Sequence, residues 1–197
     1  MYQVRFHGRG GQGVVTAAEL LSVAAFAEGR HAQAVPTFGS ERTGAPVVAF
    51  CRVDDRPIRT REPVATPDAL VVLDTTLVAQ IDVFAGLKPE GCVLLNTGRS
   101  LEEVGVTEQA TGVRSERVFA VPATEIAIAR IGKPFPNAAM LGGLAAFTKI
   151  VSLESVAAAI RERFEPEVAE RNIVAAREAY EFVDREFGRE VLRATPD

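Results

Sequence analysis

The chain has 197 residues, 47% of them hydrophobic, with a formal net charge of -4, enough apolar material for one substantial core in a single domain spanning 1–197. That charge excludes a general attraction for nucleic acid or an anionic membrane, both of which need concentrated positive charge. No apolar run reaches membrane-spanning length and the start, Met1-Tyr2-Gln3-Val4-Arg5, lacks the layout of a signal peptide, so a cytoplasmic protein is expected.

In chain order, Tyr2 to His7 predicts a short strand, Gly8-Arg9-Gly10-Gly11-Gln12-Gly13 a glycine loop, and the alanine- and leucine-rich run to Glu28 a helix stopped by Gly29. His31 to Val35 supplies a second strand, and Pro36 to Gly44 is a loop with Phe38 as its apolar residue. Val47 to Val53, the acidic turn Asp54-Asp55-Arg56-Pro57 and Ile58 predict a β-hairpin. Ala69 to Leu73 and Cys92 to Leu95 are continuous apolar runs, as expected of strands buried on both faces of a parallel sheet. Val118 to Val121 adds a strand and Ala123 to Ile131 a helix entered through Pro122.

The last third is helical. Asn137 is expected to cap a helix carrying Leu141, Leu144 and Phe147, whose Gly142-Gly143 pair implies close packing on a neighbour. Ser152 caps the next helix, with an apolar stripe from Leu153 to Phe164, and a final helix follows Pro166. The predicted fold class is thus α/β: a single domain, a mainly parallel sheet flanked by helices, with a β-hairpin and a helical C-terminal third.

Gly8, Gly10 and Gly13 satisfy GxGxxG between a strand and a helix, where a backbone without Cβ atoms can approach a phosphate and the helix terminus supplies partial positive charge. Arg9 would add a full charge; the alternative is a tight turn that binds nothing. A stand-alone dinucleotide-binding protein would need an acidic residue at the end of the second strand, and His31 to Pro36 contains none. No Lys-Ser or Lys-Thr follows the glycines, against a nucleotide-triphosphate loop. In the second loop an Arg42 fork could bind carboxylate or phosphate with Glu41 orienting it, or both could simply face water. Asp74 and Asn96 stand at strand ends, as ligand groups or as ordinary caps. Cys51 and Cys92 are expected to be buried reduced thiols, and two cysteines cannot hold an iron-sulfur cluster within the chain.

These segments together, Gly8 to Gly13, Phe38-Gly39-Ser40-Glu41-Arg42-Thr43-Gly44-Ala45-Pro46, the Asp74 strand, Pro122 to Ala127 and Asn137-Ala138-Ala139-Met140-Leu141-Gly142, resemble the gamma subunits of pyruvate and related 2-oxoacid:ferredoxin oxidoreductases over nearly the whole chain. The resemblance implies a subunit of an enzyme that oxidatively decarboxylates a 2-oxoacid to acyl-coenzyme A and passes electrons to ferredoxin or a nicotinamide acceptor through other subunits. Thiamine diphosphate, magnesium and iron-sulfur clusters would reside in alpha, beta and delta-type partners, with no cofactor held by this chain alone. The residues implied to receive coenzyme A are Gly8, Arg9, Gly10, Gly11, Gln12 and Gly13 with Phe38, Gly39, Glu41 and Arg42. No catalytic residue and no metal ligand is expected in the chain, and a purely structural subunit is the alternative. Ser40 and Thr43 depart from the Pro or Arg common at these positions in the family.

Overall fold

The structure, a computed structural model, describes residues 1–36, 44–106, 110 and 112–194, the side chains as far as residue 187. Six strands form one sheet: β1 (Tyr2–Arg9), β2 (His31–Pro36), β3 (Pro46–Asp54), β4 (Ala69–Val72), β5 (Cys92–Asn96) and β6 (Val118–Val121), in the spatial order β2-β3-β1-β4-β5-β6. The pairs β1·β4, β4·β5 and β5·β6 are parallel. The pairs β1·β3 and β2·β3 are antiparallel. This is the α/β class that the sequence predicts.

The antiparallel part is built differently from the expected hairpin. β3 pairs with β2 and β1, and residues 57–63 form no strand after the Asp54-Asp55 turn. A turn signal marks where a strand stops, but it does not name the partner, which here comes from the two strands preceding in sequence.

The helices are α1 (Val14–Ala27), α2 (Ala123–Ile131), α3 (Asn137–Thr148), α4 (Leu153–Arg163) and α5 (Pro166–Ala194). Residues from all five join strand residues such as Phe6, Cys51, Val71 and Leu94 in one core. The opposite face of β4, β5 and β6 is covered by the connections after β4 and β5, through Leu77, Val83 and Val106. α1 ends as the sequence predicts: Gly29, at φ 77°, donates to the Phe26 carbonyl and Arg30 to that of Ala25, the crossed pair of bonds that terminates a helix in a left-handed residue. Ser152 caps α4, its hydroxyl accepting from the Ser155 amide. α4 stops at Arg163, so Phe164 lies just beyond the helix.

Gly142 is where α3 meets α5 most closely: a Cβ there would lie 2.0 Å from the Ala176 carbonyl oxygen. The close packing inferred from the Gly142-Gly143 pair is therefore real, and only a hydrogen fits at that crossing. It fixes the N-terminus of α3 relative to α5, and those two elements make one wall of the site.

Candidate anion site at the glycine loop

β1 runs through Arg9, and the chain then turns sharply into α1. Gly13, at φ 75°, is the residue before the helix. A Cβ on Gly13 would lie 2.8 Å from the Asn137 side chain, so glycine is needed both for the left-handed backbone and for the approach of α3. Between β1 and β4 the chain departs in opposite directions, which makes this the switch point at which open α/β sheets bind ligands.

The loop is braced on one side. The Arg9 amide donates to Gln12 Oε1 (2.8 Å), and Gln12 Nε2 donates to Asp74 Oδ2 (2.9 Å). The Arg9 guanidinium donates from Nε to Asp74 Oδ2 (3.2 Å), from Nη1 to the Gly44 carbonyl (3.0 Å), and from Nη2 to Thr76 Oγ1 (2.8 Å) and Gln80 Oε1 (3.1 Å). The Gly10 amide donates to the Ala45 carbonyl and the Gly44 amide to that of Gly10. Burial opposes ionisation of Asp74, but hydrogen bonds from the Thr76 hydroxyl and Gln12, the Thr76 amide and the Arg9 charge outweigh it and hold its carboxyl below the ordinary range. Arg9 is thus a cross-brace within the fold, with its guanidinium already engaged by protein oxygens.

The other side is open. A cavity of about 450 Å³ is lined by Gly11 and Gly13 of the glycine loop and Thr16 of α1, by Ile131, Lys133, Phe135 and Asn137 from the end of α2 to the start of α3, and by Phe164, Glu167, Val168, Arg171 and Asn172. The N-termini of α1 and α3 both border it, each bringing unpaired amides and partial positive charge. Asn137 is 5% exposed, yet its side-chain amide takes no hydrogen-bond partner among the described residues. It is the first residue of α3, not its cap; Pro136 holds the cap position. Lys133 makes no ion pair among the described residues, whereas Arg171 donates to Glu167 (2.6 Å). Asn172 Nδ2 donates to the Val168 carbonyl (2.8 Å). Cations, amides and helix ends on one side and Phe135, Phe164 and Val168 on the other suit an anionic ligand with an apolar body.

Of the residues singled out from the sequence, Gly8 and Arg9 end β1, and Gly10, Gly11, Gln12 and Gly13 form the turn that follows. Phe38, Gly39, Glu41 and Arg42 lie outside the described residues. The ends of that second loop, Pro36 and Gly44, stand at the same sheet edge as the glycine loop, but β3 separates β2 from β1, so the two loops do not follow neighbouring strands. Asn96 is a staple: its Nδ2 donates to the Leu73 carbonyl and to Thr124 Oγ1, and its Oδ1 accepts from the Thr124 amide (3.0 Å). Cys51 and Cys92 are buried free thiols, Cys92 pushed up to about 11 chiefly by burial. Lys133, Asn137 and Arg171 were not among the expected site residues. A polar residue opening the apolar segment Asn137 to Phe147 is the one signal that could have drawn attention to the first helical turn.

Sheet, switch point and glycine turn define a single-domain α/β protein with an open cavity at the start of its first helix. The profile described as pyruvate ferredoxin/flavodoxin oxidoreductase matches residues 3–182. The chain is 50% identical over 181 residues to a pyruvate/ketoisovalerate oxidoreductases common subunit gamma of Pyrococcus furiosus, covering 92% of this chain and 96% of that protein. It is 46% identical over 185 residues to a pyruvate synthase subunit PorC of Methanothermobacter thermautotrophicus, covering 94% and 97%. The solved structure of a pyruvate oxidoreductase subunit PORC from Thermotoga maritima superposes with a TM-score of 0.79 at 38% identity, covering 91% and 95%. The chain belongs to the pyruvate ferredoxin/flavodoxin oxidoreductase family, as a gamma-type subunit of a 2-oxoacid oxidoreductase.

Proposed function

We propose that this subunit receives the phosphate-bearing end of coenzyme A in the cavity between the glycine loop and α3, within an enzyme that converts pyruvate or a branched-chain 2-oxoacid to its acyl-coenzyme A. Alpha, beta and delta-type companions hold thiamine diphosphate, magnesium and the clusters and deliver electrons to ferredoxin. The chain's two cysteines, both buried, do not fit a four-thiolate cluster. The observation that carries the reading is Asn137: a nearly buried amide, unpartnered, at a point bordered by two helix N-termini. Its amide opens onto the cavity, so a ligand oxygen can take the place of water there. Phosphate oxygens can accept from Asn137 Nδ2 and from the first amides of α1, Lys133 supplies charge, and Phe135 offers a ring for the apolar part.

In this arrangement Arg9 acts through the loop. It fixes where the amides of Gly11 and Gly13 point, while its positive charge stays on the far side of the turn. The test is coenzyme A binding to the assembled enzyme measured at equilibrium with Asn137→Ala and Lys133→Ala. Each is expected to weaken binding by roughly tenfold, the equivalent of one charge-assisted or buried hydrogen bond. Unchanged binding in both variants, with assembly intact, would show that the cavity serves another purpose.

A further inference from the structure

The five helices among the described residues pack on one face of the sheet, and on the other the apolar cluster over β4, β5 and β6 gives way at β3 to Phe50 and Arg52, 5% and 2% exposed. There Val35 and Val48 remain partly exposed. Segment 56–66 covers part of this face: the Glu62 carbonyl accepts from Arg52 Nη2 and the Thr66 carbonyl from Gln3 Nε2. The segment reads Arg56-Pro57-Ile58-Arg59-Thr60-Arg61, and its three arginines are exposed with no ion pair among the described residues. Beneath them Arg52, 2% exposed, is held only by neutral oxygens, those of Gln3 Oε1 (3.2 Å) and the Glu62 carbonyl. Its Nη1 is buried without a partner. Positive charge therefore runs from the sheet outward, offset in part by the Glu62 carboxylate that acts on Arg52, in a chain whose net charge is negative.

We infer that segment 56–61, with the adjoining partly exposed Val35 and Val48, is the docking surface for an acidic stretch of a companion subunit of the same enzyme. Charge complementarity selects the partner: exposed arginine forks bind carboxylates in pairs, and Ile58, Val35 and Val48 give the contact an apolar centre. Nucleic acid is disfavoured because Asp54, Asp55 and Glu62 flank the arginines. The inference rests on the chain being a subunit, and it does not depend on the coenzyme A reading.

The experiment measures association of the full chain with its companion subunits across a salt series, using Arg56→Glu/Arg59→Glu/Arg61→Glu. A control with the same charge change, Arg99→Glu/Arg114→Glu/Arg117→Glu, alters positions flanking β6, at the opposite edge of the sheet. The first triple variant is expected to keep the Tm of the isolated chain, to weaken association at least tenfold and to flatten its salt dependence, while the control retains association. Equal losses in both variants would reduce the effect to net charge and overturn the inference. So would unchanged association of the first, or a loss confined to self-association or to binding of a polyanion such as heparin. The Michaelis constant for coenzyme A in whatever complex forms distinguishes this failure from a failure of the ligand site.

Discussion

His7, one residue before the glycine loop, is 5% exposed and accepts at Nε2 from Arg5 Nε (3.0 Å). Its proton therefore belongs on Nδ1, which is buried without a partner. Burial first, and the Arg5 charge second, push it down to about 4. With the folded value below the unfolded one of about 6.5, the unfolded chain binds more protons between these pH values. Stability then rises with pH from about 4 to 6.5 and gains nothing further from this group above that. The span corresponds to roughly 3 kcal/mol. Urea unfolding of the isolated chain at pH 4.5 and 7.5 is expected to show a smaller difference in His7→Gln; an identical difference would mean His7 is not held neutral. Such roles depend on contacts remote in sequence. Arg9 was visible as a charge beside glycines, but its engagement by Asp74 and Gln80 needs the β1·β4 pairing. Asn137 looked like a cap, the commonest reason for Asn ahead of an apolar helical run, and only the approach of Gly13 shows that it faces the cavity.

Among the elements, those with strong periodicity or a clear terminator were legible: α2 over Ala123–Ile131, the Ser152 cap and the start of α5 at Pro166 match the structure. What failed was pairing. Apolar content marks β3 as a strand, but its two antiparallel partners follow from register along its whole length, which a turn at Asp54-Asp55 does not encode. The Gly142 crossing was legible because two glycines inside a helix need a reason. A methyl group there meets a backbone carbonyl that cannot rotate away, so Gly142→Ala is expected to cost about 3 kcal/mol, the upper part of the usual range for overpacking. That lowers Tm by roughly 6–12 °C for a chain of this size. Thermal unfolding followed by circular dichroism measures it; a variant as stable as the parent would show that α3 and α5 can separate at no cost.

At the scale of the whole molecule the chain is a subunit of a multi-subunit enzyme, and its sheet and helices frame the proposed site. Phe135, Val168 and Val174 are exposed around α5 and the cavity mouth, and they are expected to lose solvent when companions bind. Phe38, for which the same was expected, lies outside the described residues. The purified chain alone is predicted to show no visible iron-sulfur absorbance and no 2-oxoacid oxidation; either signal would contradict the division of labour proposed above. Fold class and family were legible because strand runs, glycine loop and helical third are spaced along the chain in a combination that identifies both. The ligand pocket was not, because its walls come from residues 11–16, 131–137 and 164–172, brought together only by the packing of α1, α3 and α5.

The central claim, that the helix-lined side of the glycine loop binds the phosphate end of coenzyme A, is tested most directly by Asn137→Asp in the reconstituted enzyme. The substitution keeps the shape and replaces an amide donor with a carboxylate facing the anion. With the 2-oxoacid saturating, the Michaelis constant for coenzyme A is predicted to rise by about tenfold or more, while that for the 2-oxoacid stays within about twofold, as expected of a group that touches one substrate only. An unchanged coenzyme A constant in a fully assembled enzyme would contradict the account.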